Sequence, residues 1–147
     1  LGICNGFQIL VEAGLLPGVL LRNEKQTFIS KNVFLKPETT DSLLTGGLDP
    51  ARAYQVPIAH AEGRYFADEA TLQALNDHDQ VLFRYCDAQA SVTPEANPNG
   101  SLQNIAGICN RGRNVFGLMP HPERAADPLL GATDGRLILE SLLAVTV

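Results

Sequence analysis

The chain has 147 residues, 45% of them hydrophobic against 18% charged, so a single-domain core is available and disorder is excluded as the main state. A net charge of −5, with Arg111 and Arg113 as the densest basic pair, argues against nucleic-acid binding. Three cysteines cannot all pair within the chain, and none is spaced CxxC, which points to free thiols in a reducing, cytoplasmic compartment.

Leu1-Gly2-Ile3-Cys4 reads as the end of a buried strand whose earlier residues are absent, so residues 1–147 are expected to be the C-terminal part of a single domain. Phe7, Leu10, Val11, Gly14 and Leu15 then share one face of a predicted amphipathic helix, stopped by Pro17-Gly18. The apolar stretch Ile9 to Leu21 is broken by Glu12, Pro17 and Gly18, short of the roughly 20 residues that span a bilayer. No export signal opens the chain. Phe28 to Lys36 and Ala53 to Ala59 predict strands on either side of a loop carrying Thr45-Gly46-Gly47. Asp68 predicts the cap of a short helix to about Asn76, with Leu72 and Leu75 inward.

Gln80 to Cys86 alternates as a half-buried strand would, and Thr93 to Ser101 is a turn-rich loop. Ile105 to Cys109 and Val115 to Met119 predict a hairpin closed by a loop of about five residues. Asp134 predicts the cap of a last helix to about Val145, with Leu137, Ile138, Ser141, Leu142 and Val145 on one side. Helices at both ends with strands between them predict a layered α/β domain, without repeats or a second domain.

Chemistry concentrates at two places. Gly2-Ile3-Cys4-Asn5-Gly6 fits G-x-nucleophile-x-G, a strand-to-helix elbow whose flanking glycines avoid a clash between strand and helix. The helix start favours the thiolate, and the Asn5 N–H would supply one oxyanion donor. The same five residues could also mark only a tight turn. Gly107-Ile108-Cys109-Asn110 repeats the tetrapeptide, yet Arg111 follows where the elbow has glycine. Cys109 therefore reads as a packed strand residue, as does Cys86.

A cysteine nucleophile needs a base, and three histidines are available. His78 stands among polar loop residues. His60, in Pro57-Ile58-Ala59-His60-Ala61-Glu62-Gly63, fits a site residue or a structural histidine equally. His121 follows an apolar strand between Pro120 and Pro122, with Glu123 near enough to hold one imidazole nitrogen. Cys4, His121 and Glu123 thus form a nucleophile–base–orienter set. Neither a phosphate-binding loop, a dinucleotide fingerprint nor a metal-ligand spacing is present.

Gly2-Ile3-Cys4-Asn5-Gly6-Phe7-Gln8 resembles the elbow of class I glutamine amidotransferases. The blocks 57–65, 83–87, Asn97-Pro98-Asn99-Gly100-Ser101 and Met119-Pro120-His121-Pro122-Glu123-Arg124 are similar, within that class, to the glutaminase chains of phosphoribosylformylglycinamidine synthases. The resemblance implies a flavodoxin-like fold, with a mostly parallel central sheet flanked by helices and its N-terminal strands missing. It implies hydrolysis of glutamine by Cys4 as nucleophile, His121 as general acid/base and Glu123 as orienter, with Gln8 helping to bind the substrate. The ammonia would serve ATP-dependent conversion of formylglycinamide ribonucleotide to the amidine in purine biosynthesis. No cofactor is implied for this chain; ATP and magnesium would sit on a synthetase partner subunit, and a small third subunit is left open.

Two departures stand out. The family's strands before the elbow, with the second oxyanion donor, are absent, and the family's common Arg-Trp is replaced around Ser30-Lys31-Asn32-Val33. Ala61 also stands where the family often has glycine. The competing readings are a cysteine hydrolase or peptidase-like relative on the same fold, and a non-catalytic docking subunit.

Overall fold

The computed structural model describes residues 1–143. In chain order its elements are β1 (Gly2–Ile3), α1 (Asn5–Glu12), β2 (Val19–Arg22), β3 (Ile29–Pro37), β4 (Tyr54–His60), β5 (Glu62–Phe66), α2 (Glu69–Asp77), β6 (Val81–Cys86), β7 (Ile105–Cys109), β8 (Phe116–Leu118) and α3 (Asp134–Leu143). A 3-10 turn at Pro122–Ala125 follows β8. Among the described residues no helix is long and apolar enough to cross a membrane.

Six strands form one sheet in the order β1-β8-β7-β6-β3-β4, and β2 pairs with β5 in a separate antiparallel ribbon. The layered α/β class is as expected, but its parallel character is not. Among the described strands β1 and β8 alone run parallel, Gly2 facing Gly117 and Ile3 facing Leu118; the other neighbours in the sheet are antiparallel. Parallel neighbours need a crossover of a dozen or more residues, usually through a helix. The turn over residues 110–115 is too short for one, and the connection from β3 to β4 contains no helix.

The sheet curls until its two ends meet. Beyond β1, Cys4 Sγ lies 4.0 Å from the Ala59 carbonyl in β4, and beyond β8 the His121 N–H donates to the Pro57 carbonyl at 2.8 Å. One core packs Leu35, Val56, Ile58, Leu82, Tyr85 and Leu118 with Ile138 of α3. The other gathers Phe7 of α1, Tyr65 of β5, Leu75 of α2 and Ile108 of β7. Each such side chain contributes about 1.5–3 kcal/mol when fully buried.

Several local expectations change. Helix α1 ends at Glu12, before Pro17-Gly18, because Gly14 takes a left-handed conformation (φ 70). Leu15 is therefore left 53% exposed, and Leu16 is buried in its place. Strand β2 was not expected; its first three residues form the end of the apolar stretch Ile9 to Leu21. Strand β6 is buried on both faces rather than half-buried, because it lies between β7 and β3 in the middle of the sheet. The hairpin of β7 and β8 and the Asp68 cap, which accepts the Thr71 N–H at 2.7 Å, match expectation. Asp134 opens α3, but its carboxylate accepts the Gln55 N–H at 2.8 Å and pairs with Arg52, tying the helix to β4 instead of capping it. Leu137 is partly exposed, off the side buried through Ile138 and Ser141, and Val145 lies outside the described residues.

Candidate active site

The topology delivers two of the expected residues to one place. Strands β1 and β8 are parallel neighbours, so their carboxyl ends lie at the same edge, where open α/β sheets bind ligands. Cys4 follows β1 directly, and His121 follows β8 after Met119 and Pro120.

Cys4 sits at φ 52, ψ −107, a region that costs a non-glycine residue about 1–3 kcal/mol and persists only where the surroundings enforce it. Its N–H donates to the Leu118 carbonyl at 2.8 Å, which anchors the elbow to β8. The steric argument for the flanking glycines holds at Gly2, where a Cβ would lie 2.5 Å from the Gly6 oxygen. It does not hold at Gly6, whose own Cβ would meet nothing within 4 Å among the described residues. Burial raises the Cys4 thiol above its ordinary value; the Asn5 N–H and the Arg124 charge pull it down, and Glu123 pushes it up. The helix start was expected to favour the thiolate; desolvation, the largest influence on this thiol, works against that. Cys86 is pushed up to about 12 and Cys109 is also raised, both chiefly by burial, as suits packed strand residues.

His121 is 7% exposed, and its Nδ1–H donates to Glu123 Oε1 at 2.6 Å. A charge-assisted bond of that length fixes the tautomer and leaves Nε2 as the proton-accepting edge. That Nε2 is buried and without a hydrogen-bond partner among the described residues. Glu123 also lies 3.8 Å from the Arg124 guanidinium.

Cys4 and His121 line one cleft of about 480 Å³ with Asn5, Gln8, His60 and Arg124. Gln8, expected to help bind substrate, lines the cleft and donates its side-chain amide to the Glu62 carbonyl at 2.6 Å. His60 is 4% exposed, its Nδ1 is 3.1 Å from Asn23 Oδ1, and burial together with the neighbouring His121 lowers its pKa to about 4. His78, by contrast, is an exposed loop residue outside the cleft. Among the described residues no group of three or more His, Cys, Asp or Glu could hold a metal ion.

The arrangement can present a thiol to an oriented imidazole in a partly desolvated cleft, which suits acyl transfer. Reading the sequence did not assign Arg124 a role, although it ends the block that contains His121. Asn23 had no local signal; it reaches His60 because it follows β2, which pairs with β5, and β5 begins two residues after His60.

The profile of the CobB/CobQ-like glutamine amidotransferase domain matches residues 1–133. The phosphoribosylformylglycinamidine synthase subunit PurQ of Koribacter versatilis is 57% identical over 143 residues, which cover 97% of this chain and 62% of the relative. PurQ of Gloeobacter violaceus is 55% identical over 144 residues, covering 98% of this chain and 62% of the relative. The structure of PurLQS from Thermotoga maritima matches with a TM-score of 0.80 at 41% identity, covering 97% of this chain and 59% of that one. The chain thus spans 62% of the length of these curated relatives. With the profile running through the elbow, the cleft and the turn after β8, the chain belongs to the CobB/CobQ-like glutamine amidotransferase domain family.

Proposed function

We propose that the chain carries the catalytic half of a glutaminase that supplies ammonia to a phosphoribosylformylglycinamidine synthase, with Cys4, His121 and Glu123 as its triad. The observation that carries this reading is that Cys4 shares its cleft with an imidazole whose Nδ1 is held by Glu123 and whose Nε2 is buried and unpartnered. The names of the PurQ relatives and of PurLQS support the choice of synthase.

In this mechanism His121 Nε2 takes the Cys4 proton as sulfur attacks the side-chain carbonyl carbon of glutamine. The Asn5 N–H faces the oxyanion of the tetrahedral intermediate, a contact whose loss typically costs about 2.7–4 kcal/mol of barrier. Collapse breaks the carbon–nitrogen bond, and the His121 imidazolium returns its proton to the departing nitrogen, releasing ammonia. Water, deprotonated by the same imidazole, then cleaves the thioester to glutamate and regenerates the thiol. Gln8 would contribute to holding the substrate. The ammonia would pass to a synthetase subunit on which ATP and magnesium act, in a complex of the kind named PurLQS.

In the full-length protein assembled with its synthetase, Cys4→Ala is expected to abolish glutamine-dependent synthesis while added ammonium salt sustains it. Glutamine-dependent product from that variant would contradict the mechanism.

A further inference from the structure

The triad leaves one buried polar atom in the cleft without a task. His60 lines the cleft beside Cys4 and His121, and its Nε2 is buried with no hydrogen-bond partner among the described residues. A buried polar atom left unpaired costs about 1–3 kcal/mol, so an orphan at a site points to a ligand that satisfies it.

The surroundings define what Nε2 can do. The Asn23 side chain, 1% exposed, donates its amide hydrogens to the Thr27 and His60 carbonyls, each at 2.8 Å. Its oxygen is thereby turned toward His60 Nδ1, which must donate to it. Nδ1 therefore carries the proton and Nε2 presents a bare lone pair. Ring position is fixed as well. A Cβ at Gly63 would come within 2.5 Å of His60 Nδ1 and Cε1, and the Gly63 carbonyl accepts from buried Asn99 at 2.9 Å. Two independent anchors thus hold an acceptor, not a donor, beside the imidazole that returns the proton.

We propose that His60 is a catalytic residue that accepts an N–H of the substrate carboxamide through Nε2, aiming the nitrogen lone pair of the tetrahedral intermediate at His121. The inference rests on the glutaminase reading above. At collapse the carbon–nitrogen bond breaks, the nitrogen takes the proton that His121 received from Cys4, and His60 neither gains nor loses one. Burial and the adjacent His121 keep the His60 ring neutral, as an acceptor requires.

An internal ratio tests this. In the full-length complex, hydrolysis of glutamine is compared with that of the γ-methyl ester of glutamate, whose leaving oxygen carries no hydrogen to donate. Replacing the acceptor by an apolar ring, His60→Phe, is expected to lower kcat/KM for glutamine roughly tenfold or more and to leave the ester within about twofold. A purely structural role would lower both together, and an unchanged ratio overturns the proposal. If His60→Phe does not fold, His60→Leu is read by the same ratio, with the same two outcomes. A native complex that hydrolyses the ester and not glutamine also overturns it. One that hydrolyses neither, with Cys4 intact, overturns the glutaminase reading and this inference together.

Discussion

Two histidines share the cleft in opposite states of readiness. Nδ1 of His121 is spent on Glu123, which leaves Nε2 free to take up and return a proton. The His60 pKa is lowered to about 4, first by burial and then by His121. Its ordinary value is 6.5, so between 6.5 and 4 the unfolded chain binds a proton that the folded one refuses. Above that window the neutral ring carries no penalty. As the pH falls through it, the folded state loses on the order of 3 kcal/mol. Cys4 and His121 face the same ring and are common to both proteins compared. Denaturant unfolding at pH values from 7 to 4 should therefore show a shallower loss of stability in His60→Phe than in the native protein, and equal slopes would contradict the assignment. Arg124, in the turn that carries Glu123, acts in the other direction on Cys4: its charge lowers a thiol that burial raises.

At the level of elements, the position of Glu123 depends on how closely α3 approaches the turn at Pro122–Ala125. A Cβ at Gly135, in the first turn of α3, would lie only 2.0 Å from the Pro122 carbonyl oxygen. Alanine normally improves on glycine within a helix by up to about 1 kcal/mol. Here the clash is with backbone, which cannot step aside, and overpacking typically costs about 1–3 kcal/mol. Gly135→Ala is therefore expected to lower Tm, and a raised Tm would contradict this packing. The strands and helices that announce themselves locally were legible in the residues: the Asp68 cap, the β7–β8 hairpin and the elbow at Cys4 each rest on neighbours in sequence. What was not legible depends on partners far along the chain. The β2–β5 ribbon pairs Val19 with Phe66, so no local pattern marks it. The double burial of β6 follows from its place in the sheet order, and the antiparallel pairs β3–β4 and β7–β8 from connections without helices. In the candidate site, the cleft shared by Cys4 and His121 and the bond from His121 to Glu123 involve residues that rigid local motifs mark in the sequence, whereas Asn23 reaches His60 only through the ribbon.

Across the whole molecule, the curl of the sheet does what no single motif can. It brings the end of β4 against the ends of β1 and β8, so that a sulfur at residue 4, an imidazole at 60 and another at 121 open into one cleft. The three cysteines then differ by setting rather than by sequence, since Cys86 and Cys109 lie in strands and Cys4 lines the cleft. The most direct test is covalent labelling of the protein, in complex with the synthetase proposed as its partner, with a glutamine-mimicking electrophile, followed by peptide mapping. A single modified cysteine, Cys4, is expected, with the label suppressed by glutamine. Label on Cys86 or Cys109 instead, or labelling of Cys4 indifferent to glutamine, would contradict the proposed mechanism.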